Sequence, residues 1–436
     1  METYNLVSFG GIFVLLGFAW LCSAQKQRMN WRVVLWGTGL QLLFAFFIFT
    51  VPAGTKAMLI INNGVIQVLD CAGAGTRFLF GRLALAPGTT GENGETSLGF
   101  FLAFQALPTV VFFAALMGVL YFLRIMPLLI RGFAYVFTRL MRISGAESLC
   151  VSSNIFVGIE SALTIRPHLD KMTRSELNTI LTAGMATIAS SVMAFYVFIL
   201  KNQFPTIAGH LVSASILSAP AALVMSKMLL PESGTPETLG IHIKPHYAKE
   251  NNIFEAIIHG ANDGVKLVVG ISALLLAFLG LVALVDVIFG GIGNLVTPLL
   301  GVHAKWTLKG FLGLIFYPFT LIIGVPRSDA VEIARIIGER TIVTEVTAYQ
   351  DLSLILSQGI IQNPRSVVIS TYALCGFAHV ASLAIFVGGI SALAPKRTKD
   401  LSTLGPRALL AATLACLMTA AVAGTFFNER SILLGQ

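Results

Sequence analysis

Apolar residues run through this chain in long blocks instead of alternating with polar ones at a helical or strand period. A membrane-spanning helix needs about 20 mostly apolar residues. Windows of that kind recur at 6–24, 33–52, 99–123, 177–200, 206–230, 264–289, 305–325, 367–394 and 408–427. The pattern predicts an all-α polytopic membrane protein with eight full crossings. Between 53 and 98 the apolar character is patchy and interrupted by Gly54, Gly64, Gly73, Gly75, Gly88 and Gly94, which reads as interfacial pieces and loops. The longest polar break, Pro231 to Asn252, carries three prolines and mixed charges and divides the chain roughly in half, as a linker between two repeats would.

Composition supports this reading: 56% of the 436 residues are hydrophobic and 11% charged, against about 25% charged in soluble proteins. The net charge of +8 is spread over short loops. Lys26, Arg28 and Arg32 follow the first block, Arg124, Arg131, Arg139 and Arg142 follow the third, and Lys396, Arg397, Lys399 and Arg407 precede the last. That is the positive-inside distribution, not a nucleic-acid patch, and it places both termini outside. Met1 to Gly10 carries Glu2 but no Lys or Arg, so the first block lacks the basic start of a cleavable signal and is expected to remain as a span. The five cysteines show no C-x-x-C spacing and read as buried apolar filler. No phosphate loop, H-E-x-x-H helix or G-x-S-x-G turn is present. An enzyme or an ATP-driven pump is therefore not expected, and the chemistry reduces to ion-coupled or passive movement of a solute.

The two halves share a short pattern, Gly184-Met-Ala-Thr-Ile-Ala-Ser190 against Gly376-Phe-Ala-His-Val-Ala-Ser382. Each copy follows an apolar stretch holding a glutamate, Glu160 or Glu345, and then a polar break. Inverted repeats with interrupted helices place a transporter's binding site near the midplane. Ionisable residues inside apolar segments are costly and point to function. Here they are Glu160, Glu345, His379 and Asp286, the last near the end of its span and suited to capping. Gly158, just before Ile159 and Glu160, permits a hairpin turn.

Several stretches, taken in order, resemble the concentrative nucleoside transporters. They are Asn30-Trp-Arg32, Gly39-Leu-Gln-Leu-Leu-Phe44, Asn154-Ile-Phe-Val-Gly158, Ile165-Arg-Pro-His-Leu169, Met172-Thr-Arg-Ser-Glu-Leu177, Gly324-Val-Pro326, Ile337-Gly-Glu339, Glu345-Val-Thr-Ala-Tyr349 and Tyr372-Ala-Leu-Cys-Gly-Phe-Ala378. The resemblance implies a homotrimer in a cytoplasmic-type (inner) membrane. Each protomer would have eight spans, two opposed re-entrant hairpins, interfacial helices and two unwound helices. It would import nucleosides by symport with sodium or protons, elevator-fashion. A different small polar or nucleoside-like solute on the same scaffold is the alternative. Carried over residue by residue, the sodium ligands fall on Asn154, Val157, Thr187 and Ile188, and the substrate contacts on Ile159, Glu160, Glu345, Phe377, His379 and Ser382. No other cofactor is implied.

Two departures from the family pattern stand out. His379 and Thr344 occupy positions where the family has asparagine. The first hairpin tip is one residue short and lacks the glutamine that reads the base: counting back from Arg166 puts Glu160 on the family glutamate, whereas counting forward from Gly158 puts Ser161 there. The expected organisation is scaffold spans and an interfacial segment over 1–98, a third span with a basic amphipathic segment over 99–143, a first repeat over 144–230, a polar linker over 231–263, a scaffold span over 264–304 and a second repeat over 305–436.

Overall fold

The computed structural model describes residues 3–91, 94–246, 250–300, 306–361 and 363–429, with 294–300 as backbone alone. The described chain is helical throughout, with only isolated bridges in place of strands. The helices, in chain order, are α1 (Thr3–Leu21), α2 (Trp31–Thr50), α3 (Pro52–Phe80), α4 (Leu102–Gln105), α5 (Leu107–Phe122) and α6 (Ile125–Met141). Then come α7 (Gly145–Asn154), α8 (Arg174–Ala186), α9 (Ser190–Leu200), α10 (Ile207–Leu229), α11 (Ile253–Leu300) and α12 (Leu308–Ile322). The chain ends with α13 (Ala330–Ile342), α14 (Glu345–Ser357), α15 (Pro364–Leu374), α16 (Val380–Leu393) and α17 (Thr398–Thr425). Eight helical stretches among the described residues are long and apolar enough to cross a membrane.

Three expectations are corrected. Residues 52–80 form one continuous helix, α3, apolar enough to count among those eight stretches, because Gly54, Gly64, Gly73 and Gly75 sit at helical φ and do not interrupt it. Cys22 and Cys71 are exposed, and only Cys150, Cys375 and Cys416 are buried. The polar segment after α10 is no free linker. Its first part is stitched to the foot of α7 by Gly145 N–H donating to Thr238 O (2.8 Å), Gly240 N–H to Ile143 O (3.1 Å) and a Ser144–Thr238 hydroxyl pair at 2.8 Å. A Cβ on Gly145 would lie 1.8 Å from Ile241 O, so only glycine admits this strap. Asp286 does cap, but it caps the next helix: its Oδ1 accepts Leu308 N–H at 2.7 Å.

The core is built on α8, α10 and α17, which are buried over most of their length, while α11 is apolar and mostly half-buried or exposed, packed chiefly on α5. Two polar knots hold the ends of this core. At one, Lys227 Nζ lies 2.6 Å from Glu147 Oε1 and 3.2 Å from Glu232 Oε2 and donates to Ser175 Oγ at 3.0 Å. At the other, the guanidinium of Arg365 donates to Gly324 O, Asn5 Oδ1, Tyr4 O, Ser8 Oγ and Gly424 O at 2.6–2.9 Å.

Candidate functional site

Two helices are interrupted mid-course, one between α8 and α9 and one between α15 and α16, and the two interruptions touch. Gly376, in the second, admits no side chain: a Cβ there would meet Cys416 Sγ at 2.6 Å and Ala186 O at 2.9 Å. The Cys416 thiol approaches Ala186 O at 3.8 Å and Cys375 O at 3.7 Å, so one weak donor serves the terminal carbonyls of both broken helices. The turn after α7 lies along the first interruption: Ser190 N–H donates to Phe156 O at 2.9 Å, and a Cβ on Gly158 would sit 3.5 Å from Ala189 Cβ.

These breaks and turns border one cavity, with about 680 Å³ of non-atom space including part open to the outside. It gathers all six residues expected to contact substrate: Ile159, Glu160, Glu345, Phe377, His379 and Ser382. Glu160 lines the cavity, whereas Ser161 is buried beside Cys150, which donates to its hydroxyl at 3.6 Å. Sequence reasoning missed the opposite wall, where Leu267, Ile271 and Leu274 of α11 present an aliphatic face at helical spacing. Thr344, noted in the sequence as a departure but not as a site residue, also lines the cavity, and its buried Oγ1 has no hydrogen-bond partner among the described residues.

Glu345 is the first residue of α14, where the positive end of the helix dipole favours a carboxylate. Tyr196 Oη donates to its Oε1 at 2.6 Å, and the Tyr196 ring is stacked on Tyr349 at 4.5 Å. Oε2 lies 2.6 Å from His379 Nε2. That approach is off the N–H axis, so Oε2 keeps a lone pair for a further donor. His379 is the N-cap of α16. Its Nδ1 accepts Ser382 N–H at 3.2 Å, as an asparagine or aspartate oxygen does in an ordinary cap. With Nδ1 accepting, Nε2 carries an N–H, and Ser382 Oγ lies 2.8 Å from it.

The expected cation ligands lie at the first interruption. Asn154 closes α7 with its amide nitrogen on Cys150 O at 3.1 Å, and its Oδ1 is buried with no hydrogen-bond partner among the described residues. Thr187 Oγ1 donates to Ala183 O at 2.9 Å, leaving its oxygen lone pairs available, and Ile188 is buried beside it. Val157 is half-buried one residue beyond the Phe156–Ser190 contact. Ser152 and Ser153, which sequence reasoning passed over, add two further buried hydroxyls with no hydrogen-bond partner among the described residues on the last turn of α7. Oxygen ligands of these kinds suit a hard cation.

Sequence comparison accords with this geometry. The family model "Na+ dependent nucleoside transporter C-terminus" matches 210–424, its N-terminal counterpart matches 10–83, and a "Nucleoside recognition" model matches 103–203. An uncharacterized transporter of Haemophilus influenzae is 35% identical over 97% of this chain and 98% of its own length. The chain belongs to the concentrative nucleoside transporter family. It is also 37% identical to solute carrier family 28 member 3 of Mus musculus over 96% of this chain, and spans 58% of that longer relative. Among solved structures it is similar to CNTnw in an inward-facing substrate-bound state, with 34% identity, a TM-score of 0.86 and coverage of 97% of this chain and 98% of that one. A doubly substituted CNTnw in an outward-facing state gives 32% identity and a TM-score of 0.87 over 98% of each chain. The named relatives are transporters, which accords with the expectation from the sequence.

Proposed function

We propose that this protein imports nucleosides by symport with sodium. The observation that carries the reading is the single cavity in which the turn after α7, the start of α14 and the second helix interruption meet. In this arrangement Glu345 accepts sugar hydroxyls, Thr344, His379 and Ser382 complete the polar end, Phe377 packs on the apolar body, and Ile159 and Glu160 face the base. The coupling cation is held by Asn154 Oδ1 and Thr187 Oγ1 with the Val157 and Ile188 carbonyls. A buried amide oxygen left unpaired costs about 1–3 kcal/mol, which a bound cation offsets. Because the cation site and the sugar site share the elements around the two interruptions, filling the first stabilises the second.

Alternating access follows from the make-up of the walls. Every polar group of the cavity belongs to the segments between α7 and α9 or between α13 and α16, and the α11 wall is aliphatic. Sliding the first set past α11 breaks no hydrogen bond across that face, as an elevator movement requires. The pairs α7 with the turn after it and α13 with α14 act as opposed re-entrant hairpins of two inverted repeats. The protein works as a homotrimer in a cytoplasmic-type membrane with both termini outside.

The test is uptake of labelled purine and pyrimidine nucleosides by proteoliposomes of the purified protein under a sodium gradient, a proton gradient or neither. Sodium-dependent accumulation is expected. Accumulation driven by protons alone would overturn the cation assignment, and no uptake of any nucleoside would overturn the substrate.

A further inference from the structure

Away from the cavity, α6 presents three stripes of residues at helical spacing. Met126, Ile130, Ala134, Phe137 and Met141 are buried in the core. Ile125, Leu128 and Leu129 form an exposed apolar flank. The third stripe is exposed and basic: Arg131, Tyr135, Arg139 and Arg142 follow one another at i, i+4, i+8 and i+11, and Arg124 stands at the other end. α6 is not among the helices long and apolar enough to cross a membrane. No acid occurs between Glu95 and Glu147, and Glu147 is buried against Lys227. None of these four arginines has an ion pair among the described residues. A fifth joins them, since Arg32 at the start of α2 is exposed and its Nε donates to Leu140 O at 2.9 Å on the last turn of α6. Arg124 and Arg142 are also the only non-glycine residues with left-handed backbone among those described, at φ 62° and 53°. Glycine is the usual residue for that backbone at a helix end, so α6 keeps an arginine at both ends against a conformational cost.

We propose that this face of α6 is a docking site for anionic phospholipid headgroups. The guanidinium groups take phosphodiester oxygens in bidentate hydrogen bonds, and Ile125, Leu128 and Leu129 lie along the acyl chains. Charge complementarity selects this occupant. A stripe of like charges with no acid in reach is relieved by an anion from outside, and the apolar flank beside it fits a lipid better than a free inorganic anion. A zwitterionic lipid brings its own cation, which the arginines repel, so the site discriminates between headgroups. Trp20, Trp31 and Trp36 are exposed around the connection from α1 to α2, next to Arg32, as aromatic residues are at the headgroup level of a bilayer. The basic loops put this end on the cytoplasmic side, whose leaflet carries anionic lipid. Docking here is independent of what the cavity carries.

The experiment is quenching of tryptophan fluorescence in the full chain, reconstituted into phosphatidylcholine bilayers that contain brominated phosphatidylglycerol or brominated phosphatidylcholine. Three of the four tryptophans stand at this end, so the quenching reads lipid occupancy beside Arg32. The intact protein is expected to favour phosphatidylglycerol by at least about fivefold, the value of one arginine at an anionic surface. In Arg131→Gln/Arg139→Gln/Arg142→Gln the ratio is expected to fall to near one. In Lys396→Gln/Lys399→Gln/Arg407→Gln, which removes the same charge from another exposed basic stretch, it is expected to stand. A ratio near one in the intact protein would overturn the proposal. An equal fall in both triple variants would do the same, because it would show diffuse attraction without a site. Loss of the preference on adding inorganic phosphate at constant ionic strength would replace the lipid by a free anion. If the first triple variant does not reconstitute, Arg131→Gln alone is expected to lower the ratio severalfold, and an unchanged ratio there would overturn the site.

Discussion

Replacing Lys227 with methionine tests how the base of the first hairpin is held. The ammonium is buried between Glu147 at 2.6 Å and Glu232 at 3.2 Å, with side-chain exposures of 5% for Lys227, 1% for Glu147 and 20% for Glu232. Methionine matches the length of the lysine stem, so the loss is electrostatic and leaves no large cavity. Glu232 is hydrated enough that its share is on the order of a surface ion pair, about 0–1 kcal/mol. Glu147 is left as a buried carboxylate without its cation, which costs about 3–5 kcal/mol. Lys227→Met is therefore expected to destabilise by roughly that amount. Glu147→Gln alone strands the lysine less severely, because Glu232 and Ser175 still receive it. Together the two changes should cost clearly less than their sum, since the double variant buries no uncompensated charge. Reversible chemical unfolding of the purified protein in detergent, run as a double-mutant cycle, measures the coupling. A Lys227→Met variant within about 0.5 kcal/mol of the parent, or strictly additive costs, would refute the argument.

Further outcomes follow from the cavity and its supports. Glu345→Gln should lower nucleoside uptake by about 10- to 100-fold with an unchanged elution profile; normal uptake would remove Glu345 from the sugar site. Asn154→Ala should raise the sodium concentration for half-maximal uptake by about tenfold, the equivalent of 1.4 kcal/mol, and an unaltered sodium dependence would reject the cation site. Gly184→Ala places a Cβ 2.2 Å from Phe386 Cε1, and since that ring lines the cavity, uptake should fall while the protein still folds; full activity would show that the ring yields freely.

The fold was legible where long apolar blocks leave a single solution, and the six residues that meet at the cavity were marked by two short motifs, two glutamates and the family resemblance. What remained hidden depended on long-range packing. The interruption after Ala186 has neither proline nor glycine at the break itself, and it becomes intelligible only once Gly376 and Cys416 are seen against its last carbonyl. Cys416 read as filler because a thiol in an apolar stretch gives no sign that two broken helices end beside it. The α3 segment read as fragments because its glycines were weighed as breakers, although glycine within a helix costs only about 1 kcal/mol. The strap at 238–241 read as a linker since its bonds are made by backbone groups, which side-chain composition does not report. The aliphatic face on α11 was visible as a span, but nothing in its residues says which neighbour it meets.

The Arg365 knot bears on how the protein is made. Its five oxygens come from Tyr4, Asn5 and Ser8 at the beginning of the chain, from Gly324 in the second half and from Gly424 in the last helix, and Asn5 Nδ2 also reaches Phe427 O at 3.0 Å. Helix α1 therefore has no finished seat until α15 and α17, made much later, have been inserted. During synthesis α1 must wait in the bilayer with Asn5 and Ser8 unanswered, and a chain truncated before residue 424 cannot close this knot.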